Sequence, residues 1–527
     1  MKHILNKKLA VKHIILFIIL PLAAGAIIFI SFFGRKPVTG VKKDEVQTDS
    51  VTKKGIIIID TSAMGMLSNY IDSMNNAEQI FGGSWSFYLV DVDSGKAICK
   101  VNIDHGLSPA SVMKVVTTGT ALSILGPRFQ FSTLLQYDGR IDSVHKILNG
   151  NIYIHGGGDP SLGAETFGSS VDEVMKGWAL AIKKMDIDSI AGAIIGDAES
   201  FETDPVPACW TWEDMQCDYG TGPSGLNIRE NVYDMLITAS GKTTSIKISP
   251  AIPGLKLYNQ ITHNPLIGRS YAYVEGAPFQ FERTALGEVS SYLKEHSAIP
   301  DPALFCAQTL KSTLKNYGVG TRDSSTTLRL LRLNNLRPDK KEDRKLITTN
   351  FSPSLAELVH HTNLVSQNFY AESILREIAW KENGFGSTAA AVNIVYHFWK
   401  EHGIDLRGIC MADGCGLSRM NSITTHQLVE MLRVYAKDSA VFPSFYGSLP
   451  VAGESGTIRK LADSTEADGN LHAKSGTMAR IKSYAGYVKT KSGKMLCFAM
   501  IANNTLWNET ELRDKFVKLF VLMAKLP

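Results

Sequence analysis

The sequence predicts a mixed α/β (α+β) fold, in which helices flank an antiparallel sheet and a large β-rich region interrupts the chain. Three observations predict it. A strand–turn–strand pattern leads into an apolar helix near residue 110, and four helices precede a strand and a hairpin near the end of the chain. Between these parts, turn residues separate short alternating strands. Since both outer parts supply strands and helices, we expect them to form one domain.

The first predicted elements are a hairpin and a helix. The segments Ser86–Val92 and Ala97–Asn102 surround a Asp-Ser-Gly-Lys turn and predict two paired strands. Ser108 and Pro109 then occupy the positions that helix caps and first helical residues prefer, ahead of the apolar run Val112–Leu125. We therefore predict a helix that begins at Pro109.

The remaining elements follow from apolar periodicity. Helices are predicted at Leu355–Asn363, Phe369–Lys381, Ser387–His402 and Thr425–Ala436, followed by a strand at Lys474, the hairpin Ser483–Val488 and Met495–Asn503, and a helix from Glu509 to Lys525. Short strands such as Gly150–His155, Ile190–Ile195 and Ser245–Ser249 predict that residues 131–344 form the β-rich insertion. Residues 76–130 and 345–527 then form the interrupted domain.

Three short motifs stand in one order along the chain: Ser111-Val-Met-Lys114, Ser366-Gln-Asn368 and Lys474-Ser-Gly-Thr477. They supply a nucleophile beside a lysine, a second hydroxyl with an amide, and a lysine beside small polar residues. The first pattern also occurs at Ser50, Ser143, Ser291 and Ser312, so order and context carry the prediction. In the predicted helix, Ser111 lies in the first turn, where unpaired N–H groups favour a developing oxyanion.

Each motif residue has a predicted role in acyl transfer. Ser111 is the nucleophile and Lys114 its base, which requires the lysine pKa of ~10.4 to fall by burial or beside a second cation. Lys474 is that cation, Ser366 passes the proton to the leaving amine, and Asn368 orients Lys114 and the substrate amide.

The strand that contains the third motif is the predicted substrate-binding edge. Gly476 would let a substrate backbone lie close against the strand. Ser475 and Thr477 would donate hydroxyl hydrogen bonds to a terminal carboxylate, helped by Lys474.

These motifs resemble those of low-molecular-mass class C penicillin-binding proteins of the D-alanyl-D-alanine carboxypeptidase/endopeptidase type (peptidase family S13, the DacB-like group). The resemblance covers residues 80 to 525 and includes four further blocks: Gly158–Leu162, Trp210–Asp214, Asp413–Arg419 and Leu449–Gly453. In two places the chain departs from the family pattern. Lys-Ser-Gly replaces Lys-Thr-Gly, and Cys415 replaces the serine that is usual in Asp-Gly-Ser-Gly.

The resemblance implies a β-lactamase/transpeptidase-like fold and a serine D,D-peptidase without cofactor or metal. Its substrates would be peptidoglycan stem peptides or cross-links, cut as a carboxypeptidase, an endopeptidase or both, and β-lactams would inhibit it by acylating Ser111. The alternatives are a serine β-lactamase or esterase on the same fold, and a non-catalytic protein that binds muropeptides or β-lactams. The Glu-x-x-Leu-Asn segment with which class A β-lactamases deacylate is absent from the sequence.

The resemblance also implies a specificity subsite. Trp210 and Glu213 align with residues that bind the free amino end of the stem residue, and Leu417, Arg419 and Met478 align with the other walls. Other interpretations stay open at this point: a tryptophan that anchors the core, a solvated Glu213, and an arginine that forms a surface ion pair.

The N-terminus predicts an extracytoplasmic enzyme. A lysine-rich flank precedes the apolar run Ile14–Phe33, and about 20 apolar residues suffice to span a bilayer. We interpret residues 1–36 as a cytoplasmic tail and membrane anchor and 37–75 as a tether. A cleaved signal peptide near Ala23–Ala26 is the alternative, which would release the protein.

The net charge and the cysteines say less about function than the motifs do. The net charge of +4 over 527 residues gives no nucleic-acid footprint. Of the seven cysteines, Cys209 with Cys217 and Cys410 with Cys415 are close enough in sequence to pair.

Overall fold

The computed structural model describes residues 60–336 and 341–527. The predicted cytoplasmic tail, the anchor Ile14–Phe33 and the first part of the tether lie outside the described residues. In the described ranges, every helix is too short or too polar to cross a bilayer.

The helices and strands of these ranges are numbered in chain order. The helices are α1 (Ala63–Asn75), α2 (Met113–Leu125), α3 (Val171–Lys183), α4 (Pro302–Asn316), α5 (Leu328–Leu333), α6 (Leu355–Val365), α7 (Asn368–Asn383), α8 (Thr388–Glu401), α9 (Thr425–Lys437), α10 (Phe442–Ser448) and α11 (Glu509–Ala524). The strands are β1 (Ser84–Asp91), β2 (Ala97–Val101), β3 (Ser132–Tyr137), β4 (Arg140–Asp142), β5 (Ile147–Asn149), β6 (Ile152–Gly156), β7 (Ser189–Ile190), β8 (Ile194–Asp197), β9 (Val232–Ser240), β10 (Thr243–Ser249), β11 (Lys256–Asn259), β12 (Thr262–His263), β13 (Tyr271–Glu275), β14 (Glu282–Val289), β15 (Tyr292–Ala298), β16 (Gly320–Thr321), β17 (Thr326–Thr327), β18 (Lys345–Phe351), β19 (Leu471–Met478), β20 (Ile481–Lys489) and β21 (Met495–Asn503).

A five-stranded sheet in the order β19-β20-β21-β1-β2 is the centre of the fold, and all its pairs are antiparallel. Side chains alternate between the two faces of a strand, so β1 serves two cores. Phe87 and Leu89 pack with α1 and α11 on one face. Tyr88 and Val90 pack on the other face with α2 and with α6 to α10. The predicted sheet with flanking helices is confirmed, and it draws on both ends of the described chain.

Most predicted elements of this domain differ from the observed ones by only a few residues at their ends. The predicted final helix corresponds to α11, and the predicted hairpin corresponds to β20 and β21. Helix α1 lies in the range that the sequence assigned to the tether. Its Tyr70 hydroxyl donates a hydrogen bond to the carbonyl of Lys515 in α11 (3.2 Å), so this segment packs onto the sheet domain.

Residues 131–344, the predicted insertion, supply strands to four further sheets. They also contain two long helices, α3 and α4, which the β-rich prediction omits. Helix α3 buries Trp178 and helix α4 buries Leu310 in one core with Ile154 and Ile194 of the sheets. Strand β18, which follows the predicted end of the insertion, pairs with β3 in the sheet β17-β8-β6-β3-β18.

Candidate active site

Ser111 lies in a short 3-10 turn, Ala110–Val112, immediately before α2. The predicted helix start with Ser108 as its cap is wrong, since the Ser108 hydroxyl is buried without a hydrogen-bond partner among the described residues. The side chain of Asn503 at the end of β21 holds this segment instead. It accepts from the Ser108 amide (2.8 Å) and donates to the Ser108 carbonyl (3.0 Å). Ala110 has a φ of +46°, a left-handed conformation that costs a non-glycine residue free energy.

Lys114 joins the first two motifs. Its Nζ atom donates to Ser111 Oγ (3.1 Å), to Asn368 Oδ1 (2.6 Å) and to the carbonyl oxygen of Cys415 (2.8 Å). The side chain is completely buried. These three acceptors match the three N–H donors of an ammonium group, so the charged form of Lys114 is fully hydrogen-bonded.

Lys474 joins the second and third motifs. Its Nζ atom donates to Ser366 Oγ (2.9 Å) and to the Ser475 carbonyl (2.7 Å). Ser366 has a left-handed backbone (φ 63°, ψ 37°) at the end of α6, directly before α7. This turn places Ser366 beside Lys474 and Asn368 at the start of α7 beside Lys114.

Both lysines are shifted towards their neutral forms. Burial lowers the pKa of Lys114, although the acidic groups of Cys415, Asp413 and Glu372 act in the opposite direction. Burial, and then the charge of Lys114, hold the pKa of Lys474 well below its usual range. Desolvation penalises an ammonium ion, and two cations close together penalise each other.

Gly476 brings the third motif against the nucleophile. A Cβ atom at this position would lie 2.5 Å from the Pro109 carbonyl oxygen and 3.0 Å from the Ser111 amide nitrogen. Only glycine permits so close an approach of β19 to this turn. The backbone of the Ser111 turn therefore fills the space at the Cβ position of Gly476, and the approach of a substrate backbone to this strand stays a prediction.

The hydroxyls predicted to bind a carboxylate already have partners. Ser475 Oγ donates to Thr457 Oγ1 (2.7 Å). Thr477 Oγ1 accepts from Lys482 Nζ (2.8 Å), and the same Nζ lies 3.2 Å from Glu509 Oε1. Lys482 is a further cation beside the third motif. The motif does not predict it, because Lys482 lies on the neighbouring strand β20.

The predicted specificity residues differ in exposure. Trp210 is 6% exposed, and its indole N–H donates to Asp413 Oδ2 (2.8 Å), so it anchors the core. Glu213 and Arg419 are exposed, and in the described part of the chain neither side chain forms an ion pair. Leu417 and Met478 are half-buried, and Leu417 packs in the cluster that contains Trp210.

A largely buried loop, residues 413–418, forms the floor of the site and is called the floor loop; the sequence left its hydrogen bonds undefined. Asp413 accepts hydrogen bonds from the Gly416 amide, the Ser418 amide, the Asn421 side chain and the Trp210 indole. All seven cysteines lie in the described residues and are free thiols, so neither proposed cysteine pair is a disulfide in this structure.

The inserted region also reaches the site. The side-chain amide of Asn368 donates to the carbonyl oxygen of Tyr219 (2.9 Å). Helix α7 makes further bonds to the insertion: Arg376 donates to the carbonyls of Asp204 and Pro205 (3.1 and 2.9 Å). No local sequence signal identifies such partners, which lie about 150 residues away along the chain.

Comparison with known families agrees with this geometry. The chain matches the sequence model of the D-Ala-D-Ala carboxypeptidase 3 (S13) family over residues 67–526. The chain belongs to the S13 family. The resemblance drawn from the motifs is thereby confirmed, as is the prediction of a serine-type carboxypeptidase.

Individual relatives of this S13 protein are distant but similar over most of their length. The D-alanyl-D-alanine carboxypeptidase of Actinomadura sp. (strain R39) is 25% identical over 452 residues, which are 82% of this chain and 80% of the relative. The penicillin-sensitive carboxypeptidase A of Dictyostelium discoideum is 26% identical over 498 residues, 86% and 89% of the two chains. The crystal structure of penicillin binding protein 4 (dacB) from Haemophilus influenzae matches with a TM-score of 0.74 and 21% identity, over 86% of this chain and 97% of that one. This likeness shows the shared fold.

Proposed function

We propose that this S13 protein is a serine D,D-peptidase that cleaves the D-alanyl bond of peptidoglycan stem peptides or cross-links through an acyl-enzyme on Ser111. β-Lactams would inhibit it by forming an ester with the same serine. The observation that carries the proposal is the set of partners around Lys114 Nζ. Only one of the three, Ser111 Oγ, has a proton to give.

Neutral Lys114 is the form that can accept a proton. Asn368 Oδ1 and the Cys415 carbonyl are acceptors only, so they require the two N–H donors of neutral Lys114. The lone pair then points at Ser111 Oγ, which is 3.1 Å away and can donate its proton. Burial favours this neutral form. The geometry thus provides a general base in hydrogen-bond reach of a nucleophile.

The proposed reaction proceeds in two balanced halves. Ser111 Oγ attacks the D-alanyl carbonyl and its proton passes to Lys114; the C–N bond breaks, and the leaving amine takes a proton through Ser366, which is hydrogen-bonded to Lys474. Lys114, neutral again once its proton has passed through Ser366 to the amine, takes a proton from water as the water oxygen attacks the ester carbonyl. The C–O bond to Ser111 then breaks, Lys114 returns that proton to Ser111 Oγ, and the acid product leaves.

The carboxylate end of the substrate would lie along β19. Thr477 is exposed, and its oxygen accepts from Lys482, so its own proton is free to point into the cleft. That orientation suits a hydroxyl that donates to a carboxylate, and the nearby Lys482 adds positive charge. Ser475 would exchange its bond to Thr457 for one to the same carboxylate.

Relatives support this assignment. The Actinomadura relative is named a D-alanyl-D-alanine carboxypeptidase, and the Dictyostelium relative is named as penicillin-sensitive. The intact catalytic set argues against a purely binding role. A β-lactamase on the same fold remains the second candidate, and the rate of deacylation distinguishes the two.

The first prediction is that a fluorescent penicillin forms a long-lived adduct on Ser111. Because we also propose that the enzyme acts outside the cytoplasmic membrane, anchored by residues 14–33 or released by signal cleavage, the reagent should be one that does not cross membranes. Intact spheroplasts that carry the protein should be labelled, and peptide mapping should place the label on the peptide that contains Ser111. Purified muropeptides should lose their terminal D-alanine or their cross-link, as read by mass.

Each part of this experiment can fail separately. A label on another serine would contradict the nucleophile. Labelling only after lysis would contradict the compartment. Rapid release of free penicilloate would favour the β-lactamase alternative, and an unlabelled protein that leaves muropeptides intact would contradict the enzyme.

The second prediction concerns Glu213, which we propose recognises a free amino group on the stem residue. The side chain is exposed, so its charge-assisted hydrogen bond is partly screened and we expect an effect of about tenfold. Glu213→Gln should therefore lower kcat/KM by about tenfold for peptides that bear this amine. An N-acylated D-Ala-D-Ala peptide without it, and benzylpenicillin, should react as before. Equal losses on all three compounds would assign Glu213 a structural role.

A further inference from the structure

Glu372 lies beneath the catalytic floor and has no part in the mechanism described so far. It is fully buried on α7, four residues after Asn368. Its Oε1 atom accepts hydrogen bonds from the amides of Gly414 (2.8 Å) and Cys415 (2.7 Å). The carbonyl of Cys415 in turn accepts from Lys114 Nζ (2.8 Å). One residue, Cys415, therefore separates the Glu372 carboxylate from the proposed base.

The second carboxylate oxygen is unusual. Glu372 Oε2 is buried and has no hydrogen-bond partner in the described residues. Oxygens of Glu372 and Asp413 and the sulfur of Cys415 lie within 4.8 Å of one another. A thiol is a weaker hydrogen-bond donor than the serine hydroxyl that is usual at this position in the family, and in the described residues the Cys415 thiol forms no hydrogen bond with Glu372 Oε2. Burial, and then the charge of Asp413, raise the pKa of Glu372 to about 7.

We propose that Glu372 is a positioning residue that holds the Cys415 carbonyl against Lys114 and, through its charge, controls how readily Lys114 gives up its proton. The inference rests on the proposed function, in which neutral Lys114 is the base. An ionised Glu372 favours the lysine cation, and a protonated Glu372 does not. The buried carboxylate thus sets the pH at which acylation begins.

Other charged groups share this environment. Those that face Lys114 or Glu372 are Lys474 on β19, Arg376 on α7, and Asp413 and Cys415 in the floor loop. Arg376 is itself paired with Glu202 (3.2 Å), and Asp413 has four hydrogen-bond donors. Glu372 has a pKa of about 7 and a second oxygen without a hydrogen-bond partner in the described residues, so its charge changes between pH 5 and 9.

The test measures the acylation rate of Ser111 by benzylpenicillin between pH 5 and 9 with the full-length protein. Glu372→Gln keeps the acceptor for Gly414 and Cys415 but removes the charge. Without the carboxylate charge the pKa of Lys114 should fall, so the rise of the acylation rate with pH, the acid limb of the profile, should begin about one pH unit lower. One unit is the lower end of the pKa shift that a nearby opposite charge causes. Glu372→Asp keeps the charge on a shorter side chain, so it should lower the rate without moving the limb.

Glu377→Gln is the matched control. Glu377 is a buried carboxyl on the same helix, and neither of its oxygens has a hydrogen-bond partner in the part of the chain that the structure describes. Burial raises its pKa well above the usual range. In the described residues it forms no hydrogen bond with the floor loop, and its charged neighbours are Lys381 and Asp159, so its replacement should leave the limb in place. An unmoved limb in Glu372→Gln, or an equal shift in Glu377→Gln, would overturn the inference. A wild-type protein that is not acylated at Ser111 at any pH would instead overturn the proposed function.

Discussion

Replacement of Lys114 by methionine should lower the acylation rate of Ser111 by about 10²- to 10⁴-fold, the usual contribution of a general base. Methionine fills the same buried space as the Lys114 side chain but has no amine, so the nucleophile stays in place and only its proton acceptor is lost. The wild-type rate should rise with pH as buried Lys114 becomes neutral, whereas the residual rate of the variant should lack that limb. Stopped-flow measurements of penicillin acylation over a pH series give both quantities.

Lys114→Arg tests whether Lys114 acts as a base or only as a hydrogen-bond donor. Arginine keeps the charge and donors but stays protonated, so it should be as inactive as methionine. Lys100→Met on the exposed side of edge strand β2 makes the same chemical change away from the site and should retain full activity. If Lys114→Arg acylated at the wild-type rate, Lys114 would be a donor and some other group the base.

The parts of the fold that the sequence predicts well are those fixed by local pattern. Strand β1 alternates two apolar sets because it separates two cores, and α7 to α9 carry long apolar faces. The three motifs predicted which side chains meet. Lys114 is hydrogen-bonded to Ser111 and Asn368, Lys474 is hydrogen-bonded to Ser366, and the chain segment 366–368 joins the two groups.

What the sequence did not predict has one physical cause. Polar groups at these positions form hydrogen bonds with residues that lie far along the chain, and not with their sequence neighbours. The helix cap predicted at Ser108 is replaced by Asn503, which lies 395 residues further along the chain. The subsite role of Trp210 stays a prediction, but the partner of its indole N–H, Asp413, lies 203 residues away and was not foreseen. Glu372 resembles any polar helix residue until the fold buries it under Lys114. Local preferences gave no means to foresee these partners.

Gly476→Ala should lower the acylation rate by about two orders of magnitude, because the new methyl group would meet backbone atoms that cannot rotate away. The Cβ position is 2.5 Å from the Pro109 carbonyl and 3.0 Å from the Ser111 amide, and Ser483 Oγ is also in contact. Either β19 or the Ser111 turn must move, and a displacement of about 1 Å at a reacting centre costs on the order of 100-fold. Lys114 and Ser111 remain present, so the loss reports geometry alone.

Gly447→Ala is the matched control for this steric argument. Gly447 lies in α10 with open space around its Cβ position and an ordinary helical backbone, so alanine there should leave the rate unchanged and stabilise the helix by at most about 1 kcal/mol. Thermal unfolding should show Gly476→Ala folded. A folded Gly476→Ala variant with wild-type acylation would mean that the third motif does not need to lie against the Ser111 turn. The close approach of β19 to the nucleophile would then be a packing feature without a role in catalysis.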